Sequence, residues 1–178
     1  MKIIVGLGNI GKEYENTRHN VAWMFLDYLQ EKLNFKITEN NKSLDCITSQ
    51  VYINNEKVIF VKPTTYMNLS GHAVQKLKKW YKVDDDELLI IFDDIDIPFG
   101  ETRYKLNGSG GTHNGMKNVV QMLNTKNIAR LKIGIGGIKH EKQDLVSFVL
   151  QKFTKEQIKD LEIIFDEAYE KLKIFLDK

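Results

Sequence analysis

Apolar positions along the chain switch between two periods, and the switches mark the elements. KIIVGL, residues 2–7, is a short continuous apolar run and reads as a buried strand. Ala22, Phe25, Leu26, Leu29 and Leu33 then recur at helical spacing. CITSQVYI and KVIFVK flank Asn54-Asn55-Glu56 and read as a hairpin, with Pro63 ending its second strand. Ala73, Val74, Leu77, Trp80 and Tyr81 predict a second helix, with Asn68 or Ser70 as candidate caps. ELLIIFDD is apolar on both alternating sets of positions, as a strand of a parallel sheet covered on both faces would be. TRYKL reads as another strand. The loop NGSGGTHNG leads into a helix carrying Met116, Val119, Val120 and Leu123, and RLKIGIGG reads as a late strand. Ile158, Leu161, Phe165, Ala168, Leu172 and Leu176 form one stripe of a final amphipathic helix. No repeat, low-complexity tract or linker interrupts this order, so residues 1–178 are expected to form one α/β domain.

Composition narrows the class without choosing a function. A chain of 178 residues with 42% hydrophobic and 28% charged positions is ordinary for one soluble globular domain. No apolar run approaches the roughly 18 residues of a membrane span or resembles a signal peptide. The lone Cys46 excludes an internal disulfide and a thiolate metal cluster. Cytoplasm is the expected compartment. The net charge of +2 hides a local imbalance: between Glu101 and Lys142 there are eight basic residues against two acidic ones, leaving the remainder at −4. Such an excess fits a polyanion docked on one face, and equally fits scattered, solvated lysines. The aromatics do not interleave with these basics, so a stacking platform for single strands is not indicated.

The opening GLGNIG matches a dinucleotide-binding pattern, but the pattern needs a helix opening on its last glycine. Here KEYENTRHN intervenes, and helical spacing resumes only around Val21. The phosphate-loop alternative fails on Glu13, which stands where a hydroxyl would bind Mg²⁺. Three glycines past a strand instead permit a tight turn with close backbone approach, leaving Asn9 beyond the strand's carboxyl end.

Other chemistries are set aside by spacing. The four histidines His19, His72, His113 and His140 show no zinc pattern, and no serine lies in a nucleophile elbow. Asp93, Asp94 and Asp96 could in principle hold Mg²⁺, yet strand alternation puts Asp94 and Asp96 opposite Asp93. What remains are polar residues at element ends: Asn9, His19, Asn68, Asp93 and Asn114. If they converge, the set holds one base near neutral pH, one carboxylate to orient it, and amides able to donate to an oxyanion. With no activated serine or cysteine among them, water is the expected nucleophile and hydrolysis of an acyl bond the expected reaction. Plainer roles stand beside these: His19 or Asn114 as helix caps, Asn68 as an N-cap, His113 as substrate contact or loop packing, and Trp80-Tyr81 as core.

Over these residues the sequence resembles bacterial-type peptidyl-tRNA hydrolases. VGLGNIGKEYENTRHN, KPTTYMNLSG, DDIDIPFG, GSGGTHNG and RLKIGIG carry the resemblance from Met1 to about Gly137. It implies a monomeric α/β domain with a mixed, mostly parallel twisted sheet sandwiched between helices. It further implies hydrolysis of the ester between a peptide and the 3′ end of tRNA, without cofactor or metal. By motif, His19 matches the catalytic base and Asp93 its partner. Asn9, Asn68 and Asn114 match amides that bind substrate and water, and Tyr14 and Met67 match positions lining the site. Lys105 matches a residue that clamps the 5′-phosphate of the tRNA, at the acceptor stem. Its usual arginine partner falls at Lys132, which keeps the charge without the bidentate fork, so the contact is expected to be looser or shared with Arg130. Ile10, Ala22 and Thr112 depart from the family's usual proline and glycines, and none of these changes removes a catalytic group. Two rival classes are an inert RNA-binding protein on the same scaffold, which would be expected to lose His19 or Asp93, and a nucleotide-dependent enzyme.

Overall fold

A computed structural model describes residues 1–137 and 144–178. Lys139, His140, Glu141 and Lys142, four of the charged or histidine positions noted above, lie outside the described residues. The chain forms β1 (Lys2–Gly6), α1 (Val21–Leu33), β2 (Glu39–Asn41), β3 (Cys46–Ile53), β4 (Glu56–Pro63), α2 (Ser70–Tyr81), β5 (Leu88–Pro98), β6 (Thr102–Lys105), α3 (Asn114–Leu123), β7 (Ala129–Gly136), α4 (Leu145–Leu150) and α5 (Lys155–Leu176). The seven strands make one sheet in the order β2-β3-β4-β1-β5-β7-β6.

The sheet is mixed, and its parallel part is confined to the four central strands. β1 runs parallel to β4 and β5, and β5 to β7, whereas β2, β3 and β6 are attached by antiparallel pairing. Parallel and antiparallel pairings are thus equal in number, short of the mostly parallel sheet expected, because both edges are built by hairpins or short return strands. The β3–β4 turn needs only Asn54 and Asn55, both at positive φ (53° and 64°), the requirement of the tight turn whose twist matches the strands.

Alternation along the central strands sorts the core into two layers. Ile4, Phe60, Leu89, Ile91, Leu131 and Ile133 face α1 and α5, packing on Phe25, Leu29, Phe165 and Leu172. Ile3, Val5, Ile59, Val61, Leu88 and Ile90 face the other way, onto Val74 and Leu77 of α2 and Met116 and Val119 of α3. Burial on both faces explains the continuous apolar runs of β1 and β5. Strand ends between the layers therefore open at one edge of the core, where β1, β5 and β7 release their loops.

Several local expectations change. Trp80 is 67% exposed, because the buried stripe of α2 runs through Ser70, Ala73, Val74 and Leu77 toward Tyr81. Ile158 is likewise exposed, and the buried stripe of α5 begins at Leu161. Neither Asn68 nor Ser70 caps α2 through its side chain; Ser70 Oγ donates to the Met67 carbonyl instead. The short α4 had no distinct sequence signal. Among the described residues, no helix is long and apolar enough to cross a membrane.

Candidate active site

The first turn answers the question raised by its glycines. Trp23 Nε1 donates to the Gly6 carbonyl at 2.8 Å, and a Cβ on Gly8 would stand 2.6 Å from the same indole ring. The glycines let the backbone pass beneath a tryptophan. A short turn at Lys12–Tyr14 follows, and α1 opens only at Val21 rather than on the last glycine. This path carries Asn9 and His19 to the carboxyl end of the sheet. Asn9 N–H donates to Asn20 Oδ1 (2.8 Å), Asn20 Nδ2 returns a bond to the Asn9 carbonyl (2.9 Å), and Asn9 Oδ1 accepts from Met67 N–H (2.7 Å). With its carbonyl oxygen engaged, the Asn9 amide offers its NH₂.

His19 sits in the turn just before α1 and reaches Asp93, the last residue of the unbroken buried run of β5, midway along a strand that continues to Pro98. Its Nδ1 lies 2.8 Å from Asp93 Oδ2, and the other oxygen, Oδ1, lies 2.8 Å from Nε2 of His113. The tautomers follow from the network. His113 Nδ1 accepts from Met116 N–H at 3.0 Å as the cap of α3, so its Nε2 carries the hydrogen that Asp93 accepts. Asp93 Oδ2 accepts from His19 Nδ1–H in the same way, which leaves Nε2 of a neutral His19 as a free base. The three side chains are largely withdrawn from water, with Asp93 2% exposed.

The electrostatics agree with that arrangement. Burial by itself would lower the His19 pKa, but the charge and hydrogen bond of Asp93 outweigh it and hold the group above its ordinary value. Burial would raise the Asp93 carboxyl, and His19 and His113 outweigh burial with their charges and hydrogen bonds, holding it well below the usual carboxylate range. The ligating atoms of His19, Asp93 and His113 all lie within 4.8 Å of one another, a spacing compatible with a metal ion. Both ring nitrogens here carry the hydrogens that Asp93 accepts, and ligation through His113 Nε2 would oblige that ring to abandon its cap on α3. The donor set fits a hydrogen-bonded relay better than a metal centre.

A cleft of about 300 Å³ opens over this trio. His19, Asp93 and Asn114 line it together with Lys105, Lys132 and the glycine-rich loop, and Leu145, Val146 and Val149 of α4 form an apolar wall. Three of the five polar residues singled out at element ends, His19, Asp93 and Asn114, therefore line one cleft. Asn9 lies instead on a neighbouring cleft of about 430 Å³ with Asn20 and Lys62. Met67 is buried; its main chain bonds Asn9, and its Sδ lies 2.6 Å from where a Cβ on Gly115 would stand, which links Asn9 to the start of α3. Asn68 is exposed and borders neither cleft, and Tyr14 packs edge-on against Tyr66 with ring centroids 6.3 Å apart.

The basic residues divide more sharply. Lys105 is exposed at the cleft, and Lys132 is half-buried with Asp94 at 3.5 Å. Arg130 is fully buried and donates to main-chain carbonyls, so it presents no group to a phosphate; a share in the clamp is ruled out by its burial. His113 lines the cleft, caps α3 and holds Asp93. Its place one residue before the helix start was the available signal. Asn20, which closes the double bond with Asn9, had only its position within TRHN to mark it. Asn114 opens α3 without capping it.

A sequence model of the peptidyl-tRNA hydrolase family matches residues 3–178. A peptidyl-tRNA hydrolase of Pediococcus pentosaceus is 45% identical over 92% of this chain and 86% of its own length. One from Bacillus cereus is 39% identical over 100% of this chain and 94% of its own. The crystal structure of the peptidyl-tRNA hydrolase from Acinetobacter baumannii superposes with a TM-score of 0.91 at 32% identity, covering 99% of this chain and 89% of that one. On sequence and fold together, this chain belongs to the peptidyl-tRNA hydrolase family.

Proposed function

We propose that this protein, as a monomer in the cytoplasm, hydrolyses the ester that joins a peptide to the 3′ end of tRNA, with water as the nucleophile. The observation that carries the mechanism is the 2.8 Å contact between His19 Nδ1 and Asp93 Oδ2, which leaves Nε2 free at the cleft. His19 Nε2 takes a proton from water as the water adds to the ester carbonyl. Asp93 fixes the tautomer and stabilises the imidazolium that forms, as a carboxylate does in a serine-hydrolase triad. The NH₂ groups of Asn114, and of Asn9 from its adjoining cleft, donate to substrate or to the developing oxyanion, and Asn68 and Tyr14 serve as further substrate contacts. When the tetrahedral species collapses, the imidazolium returns the proton to the departing ribose oxygen.

Recognition of the tRNA body falls to the lysines. Lys105 and Lys132 stand at the open side of the cleft and suit backbone phosphate at the acceptor stem, giving affinity with little base discrimination. The decisive experiment incubates the protein with N-acetyl-aminoacyl-tRNA and with unblocked aminoacyl-tRNA, chelator present in both. Release of tRNA from the blocked ester alone is expected. Equal cleavage of both, no cleavage of either, or loss of activity on chelation would overturn the reading.

A further inference from the structure

Arg130 and Lys132 lie on the same face of β7, yet only Lys132 reaches the cleft. The Arg130 guanidinium is enclosed and has main-chain carbonyls as partners: Nε donates to Ile128 at 3.2 Å, Nη1 to Ser109 at 2.6 Å and Nη2 to Lys126 at 3.2 Å. These carbonyls belong to two segments, the glycine-rich loop at Ser109 and the connection from α3 into β7 at Lys126 and Ile128. Gly108 N–H donates to the same Lys126 carbonyl at 3.0 Å, so loop and connection are fastened at adjacent points. Four residues beyond Ser109 is His113, itself tied back to the Gly110 carbonyl at 3.2 Å.

We propose that Arg130 is a positioning residue for the hydrolysis, seating the glycine-rich loop so that His113 holds Asp93 and, through it, His19. A buried full charge is costly, and apolar packing would fill this space without that cost. What a guanidinium supplies is a rigid fork able to satisfy three divergent acceptors at once, which neither the point charge of lysine nor an apolar chain reproduces. The fork is thus matched to holding separate backbone segments in register.

This inference rests on the proposed His19–Asp93 chemistry, and the experiment separates the two. Full-length R130K, R130M, H113A and the doubles R130K/H113A and R130M/H113A are assayed on N-acetyl-aminoacyl-tRNA for kcat and KM separately, beside thermal melts and the H19A variant. R130K is expected to stay folded and to lose on the order of 10-fold in kcat, as misplacement of a reacting group does, with KM changed less than about 2-fold. Each double is expected to fall little below H113A, because both changes release the same contact. Additive losses, normal kcat in H113A, or a loss confined to KM would overturn the proposal, the last by returning Arg130 to tRNA binding. Failure of both Arg130 variants to fold would make it a folding residue and overturn the positioning role. If H19A itself kept full activity, the proposed chemistry would fall, whereas additive losses with an inactive H19A defeat only the role of Arg130.

Discussion

At the floor of the cleft, Asp93 is 2% exposed and receives two ring donors at 2.8 Å; at its rim, Lys105 is exposed and the Lys132 ammonium lies 3.5 Å from Asp94. The floor is withdrawn from water, so its charges act at low effective dielectric, move pKa values and hold the rings in one orientation. The rim keeps its hydration, so its charges are screened by salt and tolerate variation in geometry. A hydrolase that must perform one reaction on many tRNAs needs both: fixed geometry at the ester and permissive contact along the phosphates. On the proposed reading, the division lets one histidine carry the proton while several lysines share the binding.

The largest test of that division is His19→Ala. Removing a general base is expected to lower kcat on peptidyl-tRNA by on the order of 10²–10⁴-fold while leaving tRNA affinity, measured by filter binding, nearly unchanged. A variant that hydrolysed normally but melted early would turn the floor into a structural feature.

Next in size is the pH response. Because Asp93 raises the His19 pKa, activity should fall on acidification with a midpoint above roughly 6.5, the ordinary histidine value. In Asp93→Asn the raising influences vanish while burial remains, so the acid limb of the residual activity should move to lower pH. An unmoved limb would mean that the limb does not report His19. Stability runs the other way. The raised His19 pKa contributes stability that is fully present below about 6.5 and lost as pH rises through the folded value. The lowered Asp93 contributes stability present above about 3.8 and lost as pH falls through its folded pKa. The enzyme therefore works at pH values where the His19 contribution has been given up.

The smallest expected effect belongs to the rim. Lys105→Ala should weaken tRNA binding severalfold and reduce the slope of log affinity against log salt by about one, with little change on a short ester lacking the tRNA body. Equal losses on both substrates would place Lys105 in the chemistry rather than in the clamp.

By itself the sequence determined the elements and the chemical inventory. Period alone separates β1 and β5 from α1 and α5, and the approach to α1 and the end of the apolar run in β5 mark His19 and Asp93, since chain direction and side-chain alternation are local properties. Tertiary structure decided which neighbours cover each face. Arg130 and Lys132 are both basic, two residues apart and on one side of β7, yet the glycine-rich loop closes over the first and leaves the second at the cleft. Trp80 fits a helical stripe and still faces solvent, because the side of α2 that packs on the sheet runs through Ala73, Val74 and Leu77. His113 reads as a loop residue until Asp93, twenty positions earlier, meets its ring. Period and propensity act within a few residues, whereas burial and hydrogen-bond partnership depend on segments that only the folded chain brings together.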